Sequence, residues 1–192
     1  MTAVNAEQKQ ALIDLIIKAG EATLPHWTPA EKLTGDKVQT KGDNSPITQA
    51  DRDAHAVIMA GLKAIFPDIP VISEEDEAHA PEYLKAERFF LVDPVDGTKE
   101  FINGCKEFTV NIALCRAGSP IFGLVYAPAL ETLWGGDVLA QGAWKTDADK
   151  RTIALPMPNG RDADAGLVVV ASLSHANQEA LDRLLGGRKV AK

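Results

Sequence analysis

Leu91-Val92-Asp93-Pro94-Val95-Asp96-Gly97-Thr98-Lys99-Glu100-Phe101 is the stretch whose reading decides the fold. The residues leading into it, Phe89 to Val92, form an apolar run that predicts a buried strand. Pro94 has no N–H to give to a ladder, so the strand is expected to stop at Asp93. Asp96 follows closely, and Gly97-Thr98 predicts the opening of a short helix. Two carboxylates therefore fall at a strand end, beside backbone N–H groups at a helix start. Hard cations such as Mg2+ take oxygen ligands, and phosphates sit at helix N-termini. One turn offers both kinds of contact. Asp-Pro and Asp-Gly are also ordinary turn dipeptides, and an Asp before a helix is often only a cap.

A second acidic strand end weighs between those readings. Ile69 to Ile72 is apolar, and Ser73-Glu74-Glu75-Asp76 follows at once. Adjacent carboxylates repel one another unless a cation or a proton lies between them. Two strands that each deliver carboxylates at their ends predict one site assembled from two places.

Composition sets the limits around this site. The chain has 192 residues, enough for one domain with a sizeable core and the start of another. Hydrophobic content of 45% and charged content of 24% are ordinary for a globular chain. The net charge of −7 argues against a nucleic-acid polymer as partner, which calls for a basic patch. A small anionic substrate is compatible with it, because a bound cation reverses the local sign. Cys105 and Cys115 lack CxxC spacing and are read as reduced thiols of a cytoplasmic protein rather than zinc ligands. The N-terminal MTAVNAEQKQ has no long apolar core, so no signal peptide is expected, and no apolar run reaches the length of an integral membrane segment.

Outward from the turn, the chain reads as follows. Ala6 to Ala22 carries Leu12, Leu15, Ile16 and Ala19 at helical spacing and predicts an amphipathic helix. Val38 to Pro46 predicts a short strand and a polar turn in which Lys41 either meets an anion or, as an exposed Lys more often is, stays simply solvated. Thr48-Gln49-Ala50-Asp51 resembles a capping box and opens a second helix that runs to about Phe66. Capping alone accounts for Asp51, and His55 on the same helix reads as structural. Phe108, Val110, Ile112 and Leu114 alternate with Thr109, Asn111 and Ala113, which is strand period. Short strands near Ile121–Tyr126, Thr132–Trp134 and Ala143–Lys145 continue it as an antiparallel meander, with the tryptophans as packing groups. Thr152 to Leu155 and Leu167 to Ala171 predict two further strands. Ser172-Leu173-Ser174-His175 then precedes a short helix from Asn177 to Leu185, where Ser174 serves either as a cap or as a phosphate contact.

These residues together resemble the inositol monophosphatase superfamily of metal-dependent phosphatases. The marks are Asp51 in TQAD, the pair Glu74-Glu75 after an apolar strand, and DPVDGT from Asp93 to Thr98. Within that superfamily the chain looks most like the CysQ-type 3′(2′),5′-bisphosphate nucleotidases. That likeness runs through GDNSPITQAD (42–51), VISEED (71–76), LVDPVDGTKEFI (91–102), EFTVNIAL (107–114) and GLVYAPA (123–129). The implied fold is layered α/β (α+β), with helices on a largely antiparallel sheet. Residues 1–163 would be a metal- and phosphate-binding domain, and 164–192 the incomplete start of a second α/β domain.

The resemblance also implies roles. Glu74, Asp93, Asp96 and the carbonyl of Val95 would hold two or three Mg2+ ions, with inhibition by Li+. Gly97 and Thr98 would hold phosphate through backbone N–H groups. Asp51 and Thr98 would orient and activate water, with Glu74 also on the catalytic side. Lys41, Ser174 and His175 would lie toward a small phosphorylated nucleotide. The implied reaction removes the 3′-phosphate of 3′-phosphoadenosine 5′-phosphate in sulfur assimilation. An inositol or sugar-phosphate phosphatase and an inactive metal- and phosphate-binding remnant are the alternatives. The implied location is cytoplasmic, with a peripheral position at the inner face of a bacterial membrane and a homodimer both left open. Two departures stand out. Leu173 replaces the Arg of the subfamily's Ser-Arg-Ser-His segment. None of Trp27, Trp134 and Trp144 is followed by Asp, so the family's Trp-Asp metal ligand has no counterpart in this sequence.

Overall fold

The structure, a computed structural model, describes residues 3–42, 46–76, 86–156, 178–186 and 188. The chain divides into two units, Met1–Leu155 and Pro156–Lys192. The domain boundary expected at 163/164 lies outside the described residues, as do the predicted strand at 167–171 and the residues Ser174 and His175. In the second unit the described element is a helix, Gln178–Leu185, which matches the sequence expectation for that segment.

The first unit is built on two helices and a sheet. Helix α1 (Ala6–Thr23) starts at Asn5, whose side chain accepts the Gln8 N–H at 2.8 Å while Gln8 Oε1 accepts the Asn5 N–H at 3.0 Å. This reciprocal pair satisfies two of the N–H groups that a helix start leaves without partners. Helix α2 (Gln49–Ile65) packs against α1. Gly61 makes that approach possible, because a Cβ there would sit 2.3 Å from a methyl of Leu15.

A two-stranded ribbon, β1 (Val38–Thr40) with β2 (Pro46–Thr48), leads into α2. The main sheet has seven strands side by side in chain order: β3 (Val71–Ser73), β4 (Arg88–Asp96), β5 (Thr109–Arg116), β6 (Ser119–Ala127), β7 (Thr132–Asp137), β8 (Gly142–Thr146) and β9 (Thr152–Leu155). Only β3 and β4 run parallel; the other neighbours are antiparallel. The layered arrangement of helices on a largely antiparallel sheet is the expected one.

One expectation is corrected. Strand β4 does not stop at Asp93 but continues through Pro94 to Asp96. Pairing with β5 shifts register between Asp93 and Asp96, so Pro94 and Val95 have no partner in the ladder. A bulge at that point removes the cost of the missing proline N–H and re-aims the side chains around it.

Alternation along the strands divides the sheet into two unlike faces. Phe90, Val92, Val110, Ile112, Leu114, Phe122 and Leu124 point toward α1 and α2 and join Leu12, Ile16, Ile58 and Leu62 in the main core. Trp144 packs on Phe122 with ring centroids 6.1 Å apart, in keeping with a packing role. The opposite face carries a small cluster of Ile72, Phe89 and Cys115. Beyond it Leu91 and Val125 are 41% and 39% exposed. A shallow cavity of about 400 Å3 lies there and reaches Glu74, Asp93 and Asn111 at one end. No helix among the described residues is long and apolar enough to cross a membrane.

The two faces should respond differently to substitution. Ile112→Ala, in the main core, is expected to lower unfolding stability by roughly 2–5 kcal/mol through lost burial and the cavity left behind. Val125→Thr, on the other face, should change it by less than about 1 kcal/mol. Urea unfolding of both variants checks this; equal losses would mean that the two faces are equally packed.

Candidate functional site

The site begins with the parallel pairing of β3 and β4. Ser73 stands opposite Val92 in that register, and the Glu74 N–H donates to the Val92 carbonyl at 3.0 Å. This bond fixes the start of the acidic turn next to Asp93. Asp76 closes the turn by accepting the Ser73 N–H at 2.9 Å. The Glu75 N–H donates to Ser73 Oγ at 3.3 Å, and the same hydroxyl lies 2.9 Å from His55 Nδ1. His55 thus ties α2 to the turn that presents Glu74 and Glu75, consistent with its reading as structural.

Strand β4 supplies the second group. The Val95 N–H donates to Asp93 Oδ1 at 3.2 Å, which turns that carboxylate along the bulge. Asn111 Nδ2, on the neighbouring strand β5, donates to Asp96 Oδ2 at 3.2 Å. Gly97 follows with φ of +87°, a left-handed backbone that favours glycine, and a Cβ there would lie 3.0 Å from the Glu107 carbonyl. The short helix α3 (Thr98–Ile102) then starts, as predicted.

The carboxylates of Glu74 and Asp96 bear on that of Asp93. Burial pushes the Asp93 carboxyl up to about 8, and the charges of Glu74 and Asp96 and a hydrogen bond with Glu74 act in the same direction. At neutral pH such a group holds a proton for want of another cation. The donors are all oxygens, from Glu74, Asp93, Asp96 and the Val95 carbonyl, the set a hard divalent ion takes. Among the described residues, no three acidic, histidine or cysteine side chains are already gathered as a cation cage. The chemistry of the donor set fits Mg2+; the side chains would have to close further to hold it.

Asp51 is placed by the start of α2. Its Oδ2 accepts from both the Thr48 N–H (2.8 Å) and the Thr48 hydroxyl (2.6 Å), as the capping reading predicts. The residue is 1% exposed, and Oδ1 has no hydrogen-bond partner among the described residues. Burial raises its pKa, against the lowering effect of the Thr48 bonds. Capping therefore uses one oxygen and leaves the other available. The Thr98 hydroxyl, expected to act with Asp51 on a water, donates to the Val95 carbonyl at 3.0 Å.

Lys41 reaches the acidic turn from the end of β1. Its Nζ lies 2.8 Å from Glu75 Oε1 and 3.1 Å from Glu74 Oε1. Burial works against its charge, yet the bonds to Glu75 and Glu74 leave its pKa raised. The Glu75 side chain is 5% exposed and its Oε2 has no partner among the described residues. Burial also raises the Glu75 pKa. Glu75 and Asn111 are the residues to which the sequence reading gave no role. The doublet Glu74-Glu75 was the available signal for the first; strand alternation gave none for the second.

The crowding has a direct pH consequence. Asp93 has a folded pKa of about 8, above the ordinary 3.8. A group raised in this way contributes stability that is complete below pH 4 and lost as pH rises through 8. The metal-free chain should therefore melt at progressively lower temperature between pH 5 and pH 8. Asp93→Asn should flatten that slope, as melting curves at several pH values in a chelator would reveal; an equally steep slope in the variant would assign the dependence elsewhere.

Comparison with known proteins bears on the family of this chain. The chain is 48% identical over 162 residues to the 3′(2′),5′-bisphosphate nucleotidase CysQ of Shigella flexneri, covering 84% of this chain and 61% of that protein. It is 41% identical over 176 residues to CysQ of Salmonella typhimurium, covering 91% and 67%. It thus spans about three-fifths of the first relative's length. Among solved structures, CysQ from Bacteroides thetaiotaomicron superposes with a TM-score of 0.70 at 33% identity, over 93% of this chain and 68% of that one. The sequence pattern of the inositol monophosphatase family matches residues 5–187, and the chain belongs to that family.

Proposed function

We propose that this chain carries the phosphate-ester hydrolysis site of a Mg2+-dependent 3′(2′),5′-bisphosphate nucleotidase. The substrate would be 3′-phosphoadenosine 5′-phosphate, cleaved to AMP and inorganic phosphate, in sulfur assimilation. The observation that supports this best is the meeting of Glu74 with Asp93 and Asp96 across the β3–β4 pair, where burial and mutual charge hold Asp93 near 8. The substrate class rests on the relatives named CysQ at up to 48% identity.

Phosphoryl transfer needs positioning and charge neutralisation more than covalent help from the protein. Bound Mg2+ would supply that neutralisation and lower the pKa of water at the site. Glu74, Asp93, Asp96 and the Val95 carbonyl would hold it. The Asp51 Oδ1 is buried and without a partner among the described residues, and the raised pKa of the carboxyl suits it to take a proton from attacking water. Water would add to phosphorus as the ester oxygen departs and takes up a proton as the ribose hydroxyl. Thr98, held by its hydroxyl on the Val95 carbonyl, would fix the Gly97–Thr98 backbone against the phosphate. Ser174 and His175 remain candidates for the nucleotide side, and a cytoplasmic setting remains part of the reading.

Phosphate release from 3′-phosphoadenosine 5′-phosphate and from inositol 1-phosphate, with and without Mg2+, tests the proposal. Mg2+-dependent release from the nucleotide is expected; preference for the inositol ester would favour the other phosphatase reading. Binding of Mg2+ without turnover of either would favour the catalytically silent one. Asp96→Asn should lower release by orders of magnitude with the fold intact, because it removes a charged ligand. Thr98→Ala should lower kcat more than it weakens Mg2+ binding. Wild-type rates in Asp96→Asn would remove the ligand assignment.

A further inference from the structure

We propose that Lys41 is the resting cation of this site: its ammonium occupies Glu74 until a divalent ion takes its place, while Glu75 keeps it tethered alongside. The inference rests on the metal-binding reading above and goes beyond it. It gives Lys41 and Glu75 a joint role in metal exchange rather than in substrate contact.

The two bonds of Lys41 are unequal in the way this exchange needs. The contact with Glu75 is short, 2.8 Å, and the more sheltered, with side-chain exposures of 19% for Lys41 and 5% for Glu75. The contact with Glu74 is longer, 3.1 Å, and wet, since the Glu74 side chain is 49% exposed. A solvent-exposed ion pair is weak and costs little to open. Breaking a buried one leaves an uncompensated charge and costs far more. Lys41 can therefore leave Glu74 without leaving Glu75.

A destination for the released donor is also present. An ammonium has three N–H groups. Two buried carboxylate oxygens near it, Glu75 Oε2 and Asp51 Oδ1, have no hydrogen-bond partner among the described residues. The charge of Lys41 is already felt at Asp51. Buried acceptors without partners are uncommon in folded proteins. The N–H withdrawn from Glu74 would satisfy one of them, which offsets part of the cost of opening the pair.

The rest of the fold holds this geometry. Lys41 follows β1, whose pairing with β2 joins it to the start of α2 and so to Asp51. Glu74 and Glu75 are set by Ser73, which α2 contacts through His55. One helix thus bears on both sides of the exchange. Adjacent residues of a single turn are given different duties: Glu74 is the exchangeable ligand, and Glu75 is the tether.

Calorimetric titration of Mg2+ into the whole 192-residue chain, with melting of the metal-free form, tests this. Lys41→Met removes the competitor, and the Kd for Mg2+ is expected to fall roughly three- to tenfold, the range of one partly exposed charge pair. The metal-free Tm should fall as well, because Glu75 is then buried without its cation. Glu75→Gln cuts the tether and lets Lys41 settle on Glu74, so its Kd should rise. If Lys41→Met does not fold, the double variant Lys41→Met with Glu75→Gln is compared with Glu75→Gln alone. Tighter binding in the double variant is expected, and equal binding overturns the proposal. Unchanged or weaker Mg2+ binding by folded Lys41→Met, with a wild type that binds, overturns the exchange role alone. A wild type that binds no Mg2+ overturns the metal reading and this proposal with it.

Discussion

The charge repulsion between Asp93, Glu74 and Asp96 is the constraint around which this site is built. Two neighbouring strands end in carboxylates, and the pairing of Ser73 with Val92 sets those ends side by side. Burial of Asp93 makes the repulsion costly, since charge in a poorly solvated place is disfavoured. The metal-free chain answers with protons and with one lysine. Asp93 holds a proton to about pH 8, and Lys41 is drawn from another segment onto Glu74 and Glu75. Both lower the charge repulsion of an anionic cluster.

The fold tolerates this local cost because the rest of the unit is conventionally packed. One face of the sheet is sealed by α1 and α2 through a continuous apolar core. The carboxylates lie at the edge of the other face, beside a cavity lined by Leu91, Ala113 and Val125. The bulge at Pro94–Val95 joins the two functions of β4. Its first residues belong to the core, and its last residues belong to the site. Helix α2 does the same work on the other side, with Ile58 and Leu62 in the core and His55 on the acidic turn.

Much of this was legible in the sequence, for identifiable reasons. Helices α1 and α2 and the meander from β5 onward follow from apolar periodicity, which depends only on nearby residues. The carboxylate pairs were visible because each follows directly on an apolar run. The course of β4 past Pro94 was not, since a bulge is a property of register with a partner strand. The Lys41 bonds were not legible either, because they join residues 33 and 34 positions apart. Nothing in the doublet Glu74-Glu75 distinguishes an exposed carboxylate from a buried one; burial of Glu75 is set by how the turn seats against Ser73 and Lys41. The bond from the Thr98 hydroxyl to the Val95 carbonyl was not legible, because it depends on the backbone course of the bulge and the turn at Gly97.

The most direct test is the proton balance of Mg2+ binding. Titrating Mg2+ into the metal-free chain at pH 7, in two buffers of different ionisation enthalpy, measures the protons released per ion bound. Metal ligands must give up their protons. A site in which Asp93 is held near 8 is therefore predicted to bind Mg2+ saturably and to release close to one proton as it does. Binding with no proton release, or no binding at all, would contradict the claim that the crowded carboxylates are a cation site.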